Sequence, residues 1–239
     1  MNLWEDLITR YVKRKEFLLR DVPVKKGERL LLSRPFITVS REAGSGGKLI
    51  AKKVAKALKY EFYNKKLIEL TAKKAKKREQ LISSLDEKER GLVDDLVHSL
   101  LNPNYVSEQT YIKNLCEVIL SVARRGNCVI LGRGSNFITQ DHGGLHIRIV
   151  APFLVRAGNT AQYEKRTIYN ARERVRKFDK GRKEFVKQYF GKNPSNANYY
   201  DLVLNSTYLT IEQARDIIVA AFKKKFPDWI KYRLIEKKK

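Results

Sequence analysis

The residues best suited to chemistry lie in one glycine-rich stretch, Ser40-Arg41-Glu42-Ala43-Gly44-Ser45-Gly46-Gly47-Lys48. Glycine lets backbone N–H groups crowd around an anion, and a helix beginning there adds positive potential, so this composition suits phosphate. The stretch is not a complete Walker A loop, G-x-x-x-x-G-K-[ST]. With Gly47-Lys48 as the G-K pair, Glu42 takes the place of the first glycine and Leu49 that of the Mg²⁺-binding hydroxyl. With Gly46 as the last glycine, Gly47 stands where the lysine belongs. Two readings stay open for Lys48, a phosphate contact from a shifted turn or a solvated lysine in the first helical turn. Arg41 is a second candidate cation, or the structural partner of an acid such as Glu42. Further along, Arg133 lies between Gly132 and Gly134 behind an apolar run, and Asp179 and Arg182 lie three apart in a very basic segment. Arginines suit bidentate phosphate contacts.

These groups need strands and helices to hold them. Phe36–Ser40 reads as a short buried strand leading into the glycines, and Leu49, Ile50, Val54, Ala55 and Leu58 form one side of the following helix. Residues 60–63 close that unit, and Asn64 is a plausible cap for a helix from Lys65. Helical patterns run on to about residue 101 and again from Ser107 to Arg125. Cys128–Leu131 is a continuous apolar run, as in a central parallel strand. His146–Val150 and Leu202–Leu204 are further strands, residues 160–190 a basic helical region, and Thr210-x-x-Gln213 a capping box opening a last helix through Phe222. Strands alternating with helices imply a parallel sheet covered on both faces. Residues 1–34 read as a helical extension, 35–225 as the domain and 226–239 as a basic tail.

Fifty Lys+Arg against 26 Asp+Glu give a formal charge of +24, a field that attracts nucleotides, nucleic acid or an anionic surface. Twelve bases and two acids fall in residues 48–78, and eleven bases and four acids in residues 162–192. No run of about 18 apolar residues implies a membrane span, and the charged start does not read as a signal peptide. Two cysteines make neither a disulfide framework nor a metal motif. A cytoplasmic protein with reduced thiols is the expectation.

"ITVSREAGSGGKLIAKKVAKAL" (37–58) with "YEFYNKKLI" after it resembles the opening of the cytidylate kinase-like family, with its serine-arginine pair before a GSGG turn. "NCVILGRGSNFI" (127–138), "RIVAPFLVR" (148–156), "DKGRKEFVKQYF" (179–190) and "NYYDLVLNSTYLTIEQA" (198–214) resemble its later segments in the family's order. The resemblance covers roughly residues 36–222. It implies a P-loop NTPase-like α/β fold, a parallel sheet sandwiched by helices, with helical acceptor-binding and lid segments. It also implies transfer of the ATP γ-phosphoryl to a nucleoside monophosphate, nominally CMP, with Mg²⁺. Ser40, Arg41, Gly44, Ser45, Gly46, Gly47 and Lys48 would then cradle ATP. Arg172, Arg174 and Arg176 are available for its phosphates. Arg133, Asp179 and Arg182 would hold the acceptor, with Lys48, Arg133 and Arg182 catalytic and Arg156 a lid or hinge residue. Leu131 stands where cytidylate kinases carry an aspartate that helps recognise the base, which puts cytosine specificity in question. Leu49 cannot ligate Mg²⁺, leaving Ser45 or a metal held by phosphates and water. Two other functions fit the residues: a nucleotide-binding sensor without turnover, favoured by the degenerate loop, and a basic nucleic-acid-associated protein, favoured by the charge. Phe178, Phe185, Tyr189 and Phe190 interleave with bases as stacking platforms would, although their spacing also suits packing of a helix.

Overall fold

A computed structural model describes residues 34–64, 66, 68, 109–140 and 143–229. The expected N-terminal helix, the helical patterns of residues 65–101 and the end of the tail lie largely or wholly outside them.

Five parallel strands form one sheet in the order β2-β3-β1-β4-β5. They are β1 (Ile37–Arg41), β2 (Glu61–Tyr63), β3 (Cys128–Leu131), β4 (Leu145–Val150) and β5 (Leu202–Asn205). The three central strands are largely buried on both faces, with Thr38, His146 and Arg148 as polar residues on one face of β1 and β4. The helices are α1 (Gly47–Leu58), α2 (Gln109–Arg125), α3 (Ser135–Ile138), α4 (Phe153–Glu164), α5 (Ile168–Phe190) and α6 (Ile211–Lys225). On one face α1 contributes Ile50, Val54 and Leu58 and α6 contributes Ala214, Ile218 and Phe222 to a single core with the sheet.

Local chemistry accounts for the helix ends. α1 stops at Lys59, held in the left-handed region at φ 55° while its N–H and that of Tyr60 return to Lys56 and Ala55. α6 opens on the expected box: Gln213 N–H donates to Thr210 Oγ1 at 3.1 Å, and Gln213 Oε1 accepts from Thr210 N–H at 2.9 Å. The single basic helical region expected over 160–190 is instead a hairpin. Lys165 turns left-handed at φ 51°, and Thr167 caps α5 by accepting from Asn170 N–H. The 23-residue α5 lies back along α4, which places its basic face across the ends of the strands.

Thr38 and His146 face each other in the β1–β4 register, with Thr38 Oγ1 2.7 Å from His146 Nδ1. Burial pushes His146 down to about 4, with Asp201 opposing and Lys225 reinforcing the shift. The unfolded chain takes up this proton near pH 6.5 and the folded one only near 4, so stability falls as pH drops between those values. Thermal unfolding of wild type and His146→Gln at pH 7 and pH 4.5 is expected to show the larger acid-induced loss in wild type. Equal losses would remove His146 as the cause.

Candidate nucleotide site

The loop after β1 has its backbone polar groups divided into two sets. Every carbonyl from Arg41 to Gly46 is engaged. Arg182 Nη1 donates to Arg41 O at 3.0 Å, Ser45 Oγ to Glu42 O at 2.9 Å and Arg156 Nη1 to Ala43 O at 3.0 Å. Asn159 Nδ2 donates to Gly44 O at 3.1 Å, Ser206 Oγ to Ser45 O at 2.9 Å, and the N–H groups of Leu49 and Ile50 to Gly46 O. By contrast, none of the described residues accepts from the N–H of Gly44, Gly46, Gly47 or Lys48. Buried or half-buried backbone donors ordinarily find partners. A loop whose carbonyls are tied to the framework while its amides are unpaired is built to receive an anion.

Glycine is required at Gly44 for two reasons. Its φ is +78°, and a Cβ there would stand 2.2 Å from Arg156 O. Gly46 is the left-handed N-cap of α1 and Gly47 its first residue. Lys48 is exposed in the first turn of α1 and does not line the adjoining cavity. Leu49 is 42% exposed, and Ser45 is buried with its hydroxyl bonded to Glu42 O.

Beside the loop, at the carboxyl ends of β1, β3 and β4, lies a cavity of about 580 Å³. This is where open α/β sheets receive ligands. Arg41, Arg133, Arg148 and Arg182 all line it. Gly132, Arg133 and Gly134 are successively left-handed, at φ +79°, +58° and +66°, a turn that carries Arg133 to the cavity wall. The Arg133 guanidinium lies 5.0 Å from the ring of Phe185. Arg41 folds back over Gly132, where a Cβ would stand 2.0 Å from Arg41 Nη1. Among the described residues no acid pairs with Arg41. Burial and the charges of Arg182 and Arg133 push it down to about 9, so it remains a cation at neutral pH. Arg133 is lowered by burial and by Arg182; Arg182 by burial, then Arg156 and Arg148, with Asp179 opposing. A cluster of like charges that disfavour one another is relieved by a bound anion.

Two acids organise the wall without neutralising it. Glu42 accepts from Ala151 N–H at 3.2 Å and contacts Arg148 at 3.4 Å and Arg156 at 3.3 Å. Asp179 Oδ1 accepts from the loop N–H of Ala43 at 2.7 Å, while Oδ2 pairs with Arg156. Asp179 and Arg182, 4.0 Å apart, therefore clasp the loop from α5. Phe178, Arg182 and Phe185 recur at i, i+4 and i+7 on the same helix face.

Of the residues singled out in the sequence, Ser40, Arg41, Arg133, Asp179 and Arg182 meet at this cavity. Arg172, Arg174 and Arg176 do not line it. Arg174 pairs with Glu164 and Arg176 with Glu173, and Arg172 is exposed. Arg156, read as a lid or hinge, is a buried clamp on the loop. Phe185, Tyr189 and Phe190 pack against one another and Phe137, the simpler reading of their spacing. Arg148 and Asn136 were not anticipated. A lone arginine inside the apolar run His146–Val150 was the available signal for Arg148, which bonds Ser40 Oγ at 3.3 Å across the strand register. No group of three or more His, Cys, Asp or Glu side chains among the described residues is arranged to hold a metal. Leucine at position 49 offers no ligand, whereas the Ser45 hydroxyl, donating to Glu42 O, keeps its lone pairs and is the loop side chain that could meet Mg²⁺. Nor is any described helix long and apolar enough to cross a membrane.

Comparison with known proteins agrees with this geometry. A cytidylate kinase from Methanopyrus kandleri is 29% identical over 108 residues, covering 41% of this chain and 56% of that protein. One from Natronomonas pharaonis is 22% identical over 204 residues, covering 80% and 91%. A 116-residue stretch is also 29% identical to a uronate isomerase of Corynebacterium glutamicum, covering 48% of this chain and 22% of that protein. The chain thus spans only part of some of the curated relatives it matches. Among solved structures, an uncharacterised protein from Eubacterium ventriosum superposes with a TM-score of 0.64 at 20% identity, covering 80% and 99%, a likeness of fold. The model of the cytidylate kinase-like family matches residues 36–208, and the chain belongs to that family.

Proposed function

We propose that this protein is a nucleotide kinase, transferring the γ-phosphoryl of ATP to a nucleoside monophosphate, nominally CMP. The observation that carries this reading is the loop with its carbonyls engaged and its amides unpaired, opening beside three converging guanidinium groups.

Phosphoryl transfer to a phosphate acceptor needs no strong base, because the acceptor is already nucleophilic. Positioning and charge neutralisation supply the rate. The unpaired amides of Gly44, Gly46, Gly47 and Lys48 hold the donor's phosphates. Arg133 and Arg182 hold the acceptor's phosphate. Arg41, between loop and acceptor, supplies the positive charge that the Walker lysine supplies elsewhere. Asp179 covers the Ala43 amide and, paired with Arg156, holds the loop on the acceptor side. Mg²⁺ accompanies ATP as its phosphate complex, and no step is assigned to it here.

Titration calorimetry tests the acceptor site. CMP is expected to bind wild type, and Arg133→Ala to weaken it by about 10-fold or more through loss of a charge-assisted contact. Equal affinity in the folded variant would take Arg133 out of the site. A nucleotide sensor without turnover is the second reading, favoured by the incomplete Walker A pattern of the loop.

A further inference from the structure

Asn136 is a buried polar side chain whose carboxamide bonds no described residue. It lies on α3, the short helix after the Gly132–Gly134 turn, is 4% exposed, and lines the cavity beside Arg133. Its Nδ2 is enclosed and has no hydrogen-bond partner, and no described residue bonds its carboxamide. The neighbouring Phe137 is anchored by rings, 6.1 Å from Phe190 and 5.2 Å from Tyr199, so α3 is held without help from the amide. Burying an unsatisfied amide costs about 1–3 kcal/mol, and groups that persist in this state in a ligand cavity are explained by what binds there.

A carboxamide presents a donor and an acceptor side by side, and rotation by half a turn exchanges them. That pair complements the edge of a nucleobase. It meets cytosine, which offers an acceptor at N3 and a donor at N4, and uracil, which offers a donor at N3 and an acceptor at O4. A carboxylate, which only accepts, would match one edge group of either base, N4–H of cytosine or N3–H of uracil, and oppose the other. The two acids of the cavity wall are committed elsewhere, Glu42 to Arg148 and Arg156 and Asp179 to Arg156 and the loop. Leu131 at the end of β3 carries no polar group. Among the described lining residues nothing remains that demands an exocyclic amine. We propose that Asn136 reads the base edge of the acceptor nucleotide, and that the pocket takes amino and keto pyrimidine monophosphates alike. This inference rests on the kinase reading for the identity of the ligand, but it requires only binding.

The test is titration calorimetry of wild type, Asn136→Ala and Asn136→Asp with CMP, UMP and ribose 5-phosphate, the last carrying the phosphate and sugar without a base. Wild type is expected to bind CMP and UMP within about 10-fold of each other. Asn136→Ala should weaken both by about 10-fold, about 1.4 kcal/mol, and leave ribose 5-phosphate unchanged. Asn136→Asp should weaken both nucleotides by about 10-fold, because the carboxylate opposes N3 of cytosine and O4 of uracil alike. The ribose 5-phosphate titration also shows that each variant is folded with its arginines in place. Unchanged nucleotide affinity in Asn136→Ala, or a loss shared equally by ribose 5-phosphate, overturns the role of Asn136 while leaving the kinase reading intact. Wild type preferring CMP by more than about 100-fold overturns the relaxed specificity. No binding of any of the three by wild type sinks the kinase reading, and this inference with it.

Discussion

Replacing Arg41 by alanine is expected to lower phosphoryl transfer by about 10²–10³-fold without lowering thermal stability. The two halves of this expectation have one cause. Arg41 sits among Arg133 and Arg182 with no described acid beside it, so its charge costs stability in the free protein. In the proposed transfer the same charge stands where negative charge develops between loop and acceptor, and a preorganised cation there lowers the barrier by about 3–4 kcal/mol. Loss of activity with an unchanged or raised Tm is the signature of a group retained for function. Gly132→Ala provides an independent check, because the added Cβ would stand 2.0 Å from Arg41 Nη1 and must displace it. Its own backbone strain at φ +79° will lower stability, but its kinetic defect should resemble that of Arg41→Ala. An Arg41→Ala protein with wild-type turnover, or one that loses both activity and several degrees of Tm, would contradict this assignment.

Arg156→Ala is expected to have the largest effect on stability, a loss of about 3–5 kcal/mol. The side chain is 8% exposed and bonds Ala151 O at 2.7 Å, Ala43 O at 3.0 Å and Asp179, with Glu42 3.3 Å away. Alanine would leave two acids short of a partner in a partly buried setting and release the Ala43 carbonyl. In a domain of this size the unfolding midpoint should fall by roughly 10 °C. Arg156→Lys keeps the charge but cannot serve a loop carbonyl, a strand-end carbonyl and a carboxylate at once, so it should recover only part of the loss. A midpoint within about 2 °C of wild type for the alanine variant would show that the loop is held by other means.

How far the site was legible follows from the range of the interactions that build it. The strand before the glycines, the apolar run Cys128–Leu131 and the Thr210–Gln213 box rest on patterns a few residues long, and each is found where its pattern put it. Arg133 was legible because glycines flank it at the end of a buried strand. The tying of the loop carbonyls was not, since Arg156, Asn159, Arg182 and Ser206 reach the loop from 113 to 161 residues away. The glycine spacing alone left the loop register open. In the fold α1 starts at Gly47 and Lys48 is exposed in its first turn. Arg148 and Asn136 were hidden by their setting, one inside a strand pattern and one on a four-residue helix, and only the fold shows that both line the cavity.

The central claim is that the loop and the arginine cluster transfer phosphate between nucleotides. Its most direct test follows ³¹P signals of ATP in the presence of Mg²⁺, the purified protein and CMP or UMP, with each component omitted in turn. The account predicts that ATP signals give way to those of ADP and a nucleoside diphosphate, only in the complete mixture, and far more slowly with Arg41→Ala. Persistence of ATP and the monophosphate in every mixture, with a protein that binds both, would contradict transfer and leave a nucleotide sensor in its place.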